Sequence, residues 1–86
     1  SIVLEGIEKN LSKSITKKLK IPTIGIGASV DCDGQVLVTD DILGLTKSKI
    51  KFVKEYINLR KYIGSAVKQF RLDVINKKYP SKKHLY

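Results

Sequence analysis

The chain has 86 residues, of which 42% are hydrophobic, and a formal net charge of +9 at pH 7. This length allows at most one small domain, and the apolar share excludes wholesale disorder. Cys32 is the only cysteine, which excludes a disulfide framework and a cysteine-rich metal cluster.

The sequence predicts no membrane partner, because no apolar run approaches the roughly 20 residues of a membrane span. The first five residues, Ser1–Glu5, also lack the basic leader of a signal peptide. Together with the single cysteine, these features predict a cytoplasmic protein.

The positive charge raises the question of a nucleic-acid partner. There are 17 Lys and Arg residues against 8 Asp and Glu residues, an excess that attracts nucleic acid or an anionic surface. Most of the charge is lysine spread along predicted helical faces, and the aromatic residues recur at helical spacing rather than on a sheet that stacks bases. We therefore predict no nucleic-acid partner, and a small basic nucleic-acid-binding or assembly module remains the alternative function.

The first predicted elements form a strand–helix–strand unit. Ile2–Leu4 reads as a short buried strand that ends in Glu5, and Gly6 breaks it. Pro22 ends the helix that follows, and Thr23–Ile26 reads as the second strand. The expected apolar face of the helix recurs every four residues, at Ile7, Leu11, Ile15 and Leu19. This order predicts a parallel pair of strands joined by a right-handed crossover.

The middle of the chain is ambiguous. Residues Gln35–Leu45 favour a strand by the propensity of Val36–Val38, but Asp33 is also a suitable cap for a short helix. We favour the helix, because a parallel sheet needs a covering element after its second strand.

Two further helices are predicted after a break at Gly44 and Lys47–Lys51. The first has apolar residues at Ile50, Val53 and Ile57. The second ends near Lys78, with apolar residues at Ile63, Val67, Phe70 and Val74. Pro80 and the polar residues after it read as a tail.

Two strands cannot enclose a core, and a parallel pair alone leaves two unpaired edges. The chain also contains no methionine and opens directly on a strand-like run. We therefore expect residues 1–86 to be the C-terminal part of a larger α/β protein and not a complete domain.

Glu5 is the strongest candidate for chemistry. A carboxylate directly after an apolar strand lies at the carboxyl end of that strand, which in a parallel barrel faces the active site. There it is suited to act as a general base. On spacing alone, a rim acid paired with a neighbouring lysine explains Glu5 equally well.

Gly25 and Gly27 are candidates for the rim of a pocket. A glycine pair after a strand suggests dinucleotide binding, but that fingerprint requires a third glycine where Val30 stands. The glycines are also explained by a strand end that turns and packs closely.

The remaining polar residues give weaker signals. Four aspartates suggest a cation site, but they lack the spacing of a calcium loop and suit turns and helix caps better: Asp31, Asp33, Asp40 and Asp41. His84 has no acid near it in the tail, and Cys32 has no nearby base, so we assign neither a ligand nor a nucleophile role.

Several segments, in order, resemble ketopantoate hydroxymethyltransferases. They are Val3–Ile7, Ile21–Ala28, Asp33–Val38, Lys51–Lys54, Ala66–Val67 and Tyr79–His84. The combination of IGIGA, DGQVLV, an acid in the preceding strand and a late YP with a histidine is specific, and the likeness covers almost the whole chain.

The resemblance implies a (β/α)8 TIM barrel of which this chain forms the last two βα units and the terminal helices. It also implies a hydroxymethyl transfer from methylene-tetrahydrofolate to a Mg²⁺-bound 2-oxo acid, 3-methyl-2-oxobutanoate, giving 2-dehydropantoate for pantothenate synthesis. Glu5 matches the family's catalytic general base. The fragment alone is expected to be inactive.

The resemblance also sets limits. The metal-binding acids of the family lie in earlier strands, so no metal ligand is assigned to this chain. The family's homo-oligomeric state is carried over as an expectation. This sequence departs from the family at Ser29, where glycine is usual, and at Asp40-Asp41, where a His-Asp pair is common.

Overall fold

The computed structural model describes all residues, Ser1–Tyr86, as a small α/β arrangement around a parallel sheet. Three strands form the sheet in the order β1 (Ile2–Glu5), β2 (Thr23–Ile26) and β3 (Gly34–Gln35). Both neighbouring pairs are parallel, and Glu5 lies opposite Ile26. The predicted parallel pair of strands is therefore confirmed, and a third short strand is added to it.

The helix α1 (Lys9–Lys18) connects the first two strands. It begins after Glu8, whose side chain caps it, and it ends before Leu19, four residues ahead of the expected stop at Pro22. The predicted helix is confirmed.

The face of α1 that packs on the sheet only partly matches the apolar face that its spacing predicts. Ile7 and Ile15 are half-buried, but Leu11, on the predicted face, is 53% exposed. The completely buried residue is Ser12, and the hydroxyl oxygens of Thr16 and Thr23 are 2.9 Å apart. Hydroxyl side chains with hydrogen-bond partners therefore share the packed side of α1 with part of the expected apolar face.

The prediction of a helix over Gln35–Leu45 is wrong for the residues before Thr39. Gly34 and Gln35 pair with β2 instead, and the amide of Val36 donates to the carbonyl of Gly25 at 3.0 Å. The unpaired edge of β2 supplies hydrogen-bond partners for this segment, which therefore extends the sheet, in line with its strand propensity, and does not cover it as a helix. A helix of four residues, α2 (Thr39–Ile42), follows.

The helix predicted around Ile50, Val53 and Ile57 is also wrong. This segment runs as turns and irregular backbone, and the amides of Tyr56 and Ile57 donate to the carbonyl of Ile42. Because these amides bond the end of α2, they do not form the bonds to the carbonyls four residues earlier that a local helix requires.

The last helix, α3 (Leu59–Ile75), confirms the final helical prediction, although it starts earlier and ends before Lys78. A 3₁₀ turn follows at Lys82–His84. Arg60 fixes the start of α3, because its guanidinium donates to the carbonyls of Gly44 and Thr46, at 2.6 and 3.0 Å.

The core is very small. Only seven of 86 residues are buried, and the Cα radius of gyration is 21.5 Å. Most large apolar side chains of α3 are exposed, including Ile63, Val67 and Phe70. No helix combines the length and the apolar character that crossing a membrane would require.

Candidate functional site

The carboxyl ends of β1 and β2 lie side by side and carry the strongest sequence candidate. Glu5 is the last residue of β1, and the amide of Gly6 after it donates to the carbonyl of Ile26 at 2.9 Å. The backbone of Glu5 is therefore held against the end of β2, and its exposed side chain stands at this edge of the sheet.

Glu5 lies on the face of the sheet that α1 does not cover. Side chains alternate along a strand, and residues in register across parallel strands share a face. Thr23 faces α1, so Leu4 and Gly25 belong to that side, and both are buried. The opposite side, which we call the open face, consists of Val3, Glu5, Ile24 and Ile26.

The open face is apolar apart from Glu5. Val3 is 57% exposed, and Ile24 and Ile26 are partly exposed. The chain contains two ion pairs, Lys13 with Asp31 and Arg60 with Glu55, and neither includes Glu5. A lysine partner, the alternative explanation for this carboxylate, is not found among these residues.

The two candidate rim glycines occupy different environments. Gly27 directly follows β2 with a φ of +59°, a left-handed conformation that glycine adopts without strain, and an added Cβ would meet the Phe52 ring. Gly25 is buried within β2, where an added Cβ would lie 3.0 Å from both Cys32 Sγ and Gln35 Oε1. Both glycines therefore allow close packing, Gly27 against the Phe52 ring just after β2 and Gly25 inside the sheet.

Two open clefts adjoin Gly27 and Phe52. The first has a volume of about 550 Å³ and a mostly apolar lining. It is lined by Val30, Val36, Leu37, Ile42, Phe52 and Tyr56, together with Gly27, Gln35 and Lys54. The second has a volume of about 540 Å³ and is lined by Gly6, Ile7, Glu8, Lys9, Gly27, Ala28, Lys51 and Phe52. Phe52 belongs to both clefts, and sequence periodicity had placed it in a helix.

Hydrogen bonds hold the loop after β2 at Ser29, where the family that the sequence resembles usually has glycine. Ser29 is buried, its hydroxyl donates to the Asp31 carboxylate at 3.1 Å, and it accepts from the Asp31 amide. Gln35 Nε2 donates to the Ser29 carbonyl at 2.7 Å. These bonds hold the loop beside the first cleft.

A hydrogen-bonded cluster closes the opposite end of β2. The Asp33 carboxylate accepts from the amide of Thr23 at 2.8 Å and from its hydroxyl at 3.1 Å. The Asp33 amide donates back to Thr23 Oγ1. Asp33 therefore connects the end of the β2–β3 loop to the first residue of β2. Its expected role as a helix cap is wrong.

Glu8 carries the one clearly shifted pKa. Its carboxylate accepts from the amides of Asn10 at 3.0 Å and Leu11 at 2.9 Å. These hydrogen bonds, the Asn10 amide first, lower the pKa of the Glu8 carboxyl. Sequence reasoning missed this cap, although an acid just before a helical run is a known start signal.

The aspartates do not gather into a metal centre. No three His, Cys, Asp or Glu side chains come together in a cation-binding arrangement. Asp31 and Asp33 already have hydrogen-bond partners, and Asp40 and Asp41 lie in the first turn of α2.

Cys32 and His84, which received no functional role from the sequence, lie in different parts of the structure. Cys32 is buried beside β2, and its sulfur accepts a long hydrogen bond of 3.9 Å from Thr16. His84 bonds Ser81 through Nδ1 and packs against Tyr79, away from the carboxyl ends of the strands.

These features define an α/β chain of the enzyme type that places its chemistry at the carboxyl ends of parallel strands. The family model described as ketopantoate hydroxymethyltransferase matches residues 1–82. The chain belongs to this family.

Similarity to proteins named 3-methyl-2-oxobutanoate hydroxymethyltransferase supports the same family membership. The chain is 62% identical over 86 residues to the Pelagibacter ubique (strain HTCC1062) protein, covering 100% of this chain and 34% of that protein. It is 51% identical over 80 residues to the Trichodesmium erythraeum (strain IMS101) protein, covering 93% and 30%. For the Mesorhizobium japonicum protein the identity is 46% over 87 residues, covering 100% and 30%. The chain thus spans about a third of the length of these curated relatives.

Proposed function

We propose that this chain is part of a 3-methyl-2-oxobutanoate hydroxymethyltransferase. The enzyme transfers a hydroxymethyl group from methylene-tetrahydrofolate to 3-methyl-2-oxobutanoate and yields 2-dehydropantoate, a step in pantothenate synthesis. The family match across residues 1–82, together with a carboxylate at the carboxyl end of β1, carries this proposal.

Within that enzyme, residues 1–86 form the C-terminal part of a single (β/α)8 barrel. A compact domain of this length has a radius of gyration of about 12 Å, against 21.5 Å here. The open face and the apolar side of α3 are left exposed, so both need a further covering surface. The free edge of β1 is available to a preceding parallel strand.

Glu5 acts as the general base. Its carboxylate removes the proton from C3 of the 2-oxo acid, beside the ketone. The resulting enolate forms a C–C bond to the methylene carbon as one C–N bond to the folate breaks, and water then displaces the second folate nitrogen. The water supplies the hydroxyl group of the product, and the folate nitrogens take up the released protons to give tetrahydrofolate. Val3, Ile24 and Ile26 supply an apolar surface around the carboxylate, which excludes water once the barrel is complete.

Magnesium stabilises the enolate oxygen when it is bound. The family resemblance implies that its ligands lie in earlier strands of the barrel, so we assign no ligand to these 86 residues, and no step here passes through the ion. As the family resemblance implies, we further propose that the complete enzyme is a cytoplasmic homo-oligomer. Residues 1–86 in isolation are expected to be inactive.

The proposal is tested on the complete protein that contains this chain. Purified protein is mixed with 3-methyl-2-oxobutanoate, methylene-tetrahydrofolate and magnesium, and the formation of 2-dehydropantoate is followed. Product that depends on all three additions is expected. Absence of product from folded protein would contradict the proposed function.

A further inference from the structure

Ile26 is the residue that lies next to Glu5 across the sheet. The two residues are in register on the parallel strands β1 and β2, and such strands run about 4.8 Å apart. Both belong to the open face, because the residues before them, Leu4 and Gly25, face α1. The amide of Gly6 donates to the carbonyl of Ile26 at 2.9 Å, which fixes the two strand ends relative to each other. The Glu5 carboxylate and the Ile26 side chain therefore share one end of the open face.

Ile26 is also the last apolar side chain of the open face before β1 and β2 end. Val3 and Ile24 belong to the same face but lie two residues earlier, about 6–7 Å further from the carboxyl ends of the strands. The residue that follows each strand is a glycine and adds no side chain. Ile26 is partly exposed, so its side chain is open to contact by a bound molecule. Within these two strands, Ile26 alone offers an apolar surface level with Glu5.

The proposed reaction brings the substrate carbon C3 to the same level. A general base lies within hydrogen-bond distance, about 2.6–3.2 Å, of the group from which it removes a proton. C3 of 3-methyl-2-oxobutanoate carries two methyl groups, and each projects about 1.5 Å beyond that carbon. With C3 held at the Glu5 carboxylate, a methyl group directed toward β2 meets the Ile26 side chain, which stands one strand spacing away.

We infer that Ile26 is a specificity-determining residue for the 2-oxo acid, whose side chain packs against one substituent of C3 and limits the size of that substituent. The inference rests on the proposed function, from which it takes Glu5 as the base and C3 as the reacting carbon. An ethyl group in place of that methyl group would overlap the Ile26 side chain. One methylene group in an apolar pocket changes kcat/KM by about 10- to 200-fold, which sets the size of the expected preference.

The test uses the complete protein with 3-methyl-2-oxobutanoate and with each enantiomer of 3-methyl-2-oxopentanoate, which carries one methyl and one ethyl group on C3. With the C3 proton toward Glu5 and the 2-oxo acid group in one orientation, only one enantiomer directs its ethyl group at Ile26. Ile26→Ala should raise kcat/KM for that enantiomer about tenfold relative to 3-methyl-2-oxobutanoate, because the colliding atoms are removed. For the other enantiomer this ratio should change little. Each ratio compares two acids on one protein preparation, so a loss of folded protein cancels.

Ile26→Val is the milder change and should shift the ratio in the same direction by less. The control Ile24→Ala removes the same atoms from the open face, two residues further from the strand end, and should keep the unmodified ratios. Unchanged ratios in both Ile26 variants, or an equal gain for both enantiomers, would overturn the inference while leaving the reaction intact. An equal shift in Ile24→Ala would overturn it as well. Absence of turnover of 3-methyl-2-oxobutanoate by the unmodified protein would instead contradict the proposed function.

Discussion

The two faces of the sheet differ in chemistry and in completeness. The face toward α1 is closed by hydroxyl groups, with Ser12 and Thr23 fully buried and every buried polar side-chain atom hydrogen-bonded. The open face is apolar, exposed and carries one free carboxylate, Glu5. One face holds the chain together, and the other is the exposed surface on which we propose that the substrate and the remaining barrel strands lie.

This difference also explains what apolar periodicity failed to predict. The rule that helices bury their apolar stripe selected Ile7, Leu11, Ile15 and Leu19. In the fold, α1 places Ser12 and Thr16 on the sheet side: the Ser12 hydroxyl donates to the Glu8 carbonyl at the start of α1, and the Thr16 hydroxyl lies 2.9 Å from that of Thr23 on β2. Buried polar groups cost little only when such partners exist, and apolar periodicity does not reveal them.

The largest effect is expected on the open face. Glu5→Gln removes the proposed general base and keeps nearly the same shape, so kcat should fall about 10²- to 10⁴-fold with little change in KM for the 2-oxo acid. Steady-state kinetics of the complete protein measure this. Asp73→Asn, the same exchange on α3, should keep the unmodified kcat, and a Glu5→Gln rate equal to that of Asp73→Asn would refute the assignment.

The contribution of the sheet face toward α1 to stability is tested by Thr23→Val, which keeps the side-chain shape and removes the hydroxyl. The Asp33 amide and the Thr16 hydroxyl lose their partner in a buried place, so the free energy of unfolding should fall by about 1–3 kcal/mol. Urea unfolding measures it. Thr39→Val, at an exposed position, is the matched control and should change stability far less. Equal losses in both variants would contradict the structural role of the buried cluster.

A smaller effect on stability is expected from a substitution at Gly27, directly after β2. Gly27→Ala places a Cβ against Phe52 and forces a left-handed φ on alanine, which should cost about 1–2 kcal/mol. Gly64→Ala on α3 meets no atom within 4 Å and should instead stabilise its helix slightly. Thermal unfolding compares the two, and a Gly27→Ala protein as stable as Gly64→Ala would exclude the close contact with Phe52.

The smallest effect concerns pH and the Glu8 cap. Hydrogen bonds lower the pKa of Glu8 in the folded state, so its stabilising contribution is complete above the ordinary carboxyl pKa. That contribution is lost as the pH falls through the lowered folded pKa. Glu8→Gln should therefore flatten the acid side of the stability curve, measured by urea unfolding from about pH 6 to about pH 3. Identical curves for both proteins would show that the cap contributes nothing.

Sequence reasoning succeeded where a pattern acts locally. The strands Ile2–Glu5 and Thr23–Ile26, the helix α1 and most of α3 follow from apolar runs, glycine and proline. It failed between Gln35 and Ile57, where β3 forms by pairing with β2 and Phe52 packs over Gly27. Both outcomes depend on surfaces that only the folded chain creates.

For the candidate site, the sequence was sufficient to place Glu5 at the carboxyl end of β1. It did not reveal the clefts, because Phe52 and Tyr56 read as members of a helix. Nor did it reveal that Gly25 and Gly27 differ, since Gly27 meets Phe52, a residue far away in the sequence.

The most direct test of the central claim is proton exchange at C3 of 3-methyl-2-oxobutanoate, followed by proton NMR in D2O with magnesium and without folate. Abstraction by Glu5 needs no second substrate, so the complete protein should catalyse loss of the C3 proton signal. Glu5→Gln should slow this exchange by about 10²-fold or more, while Asp73→Asn should match the unmodified protein. Exchange that proceeds at the same rate in Glu5→Gln would contradict the assignment of Glu5 as the base.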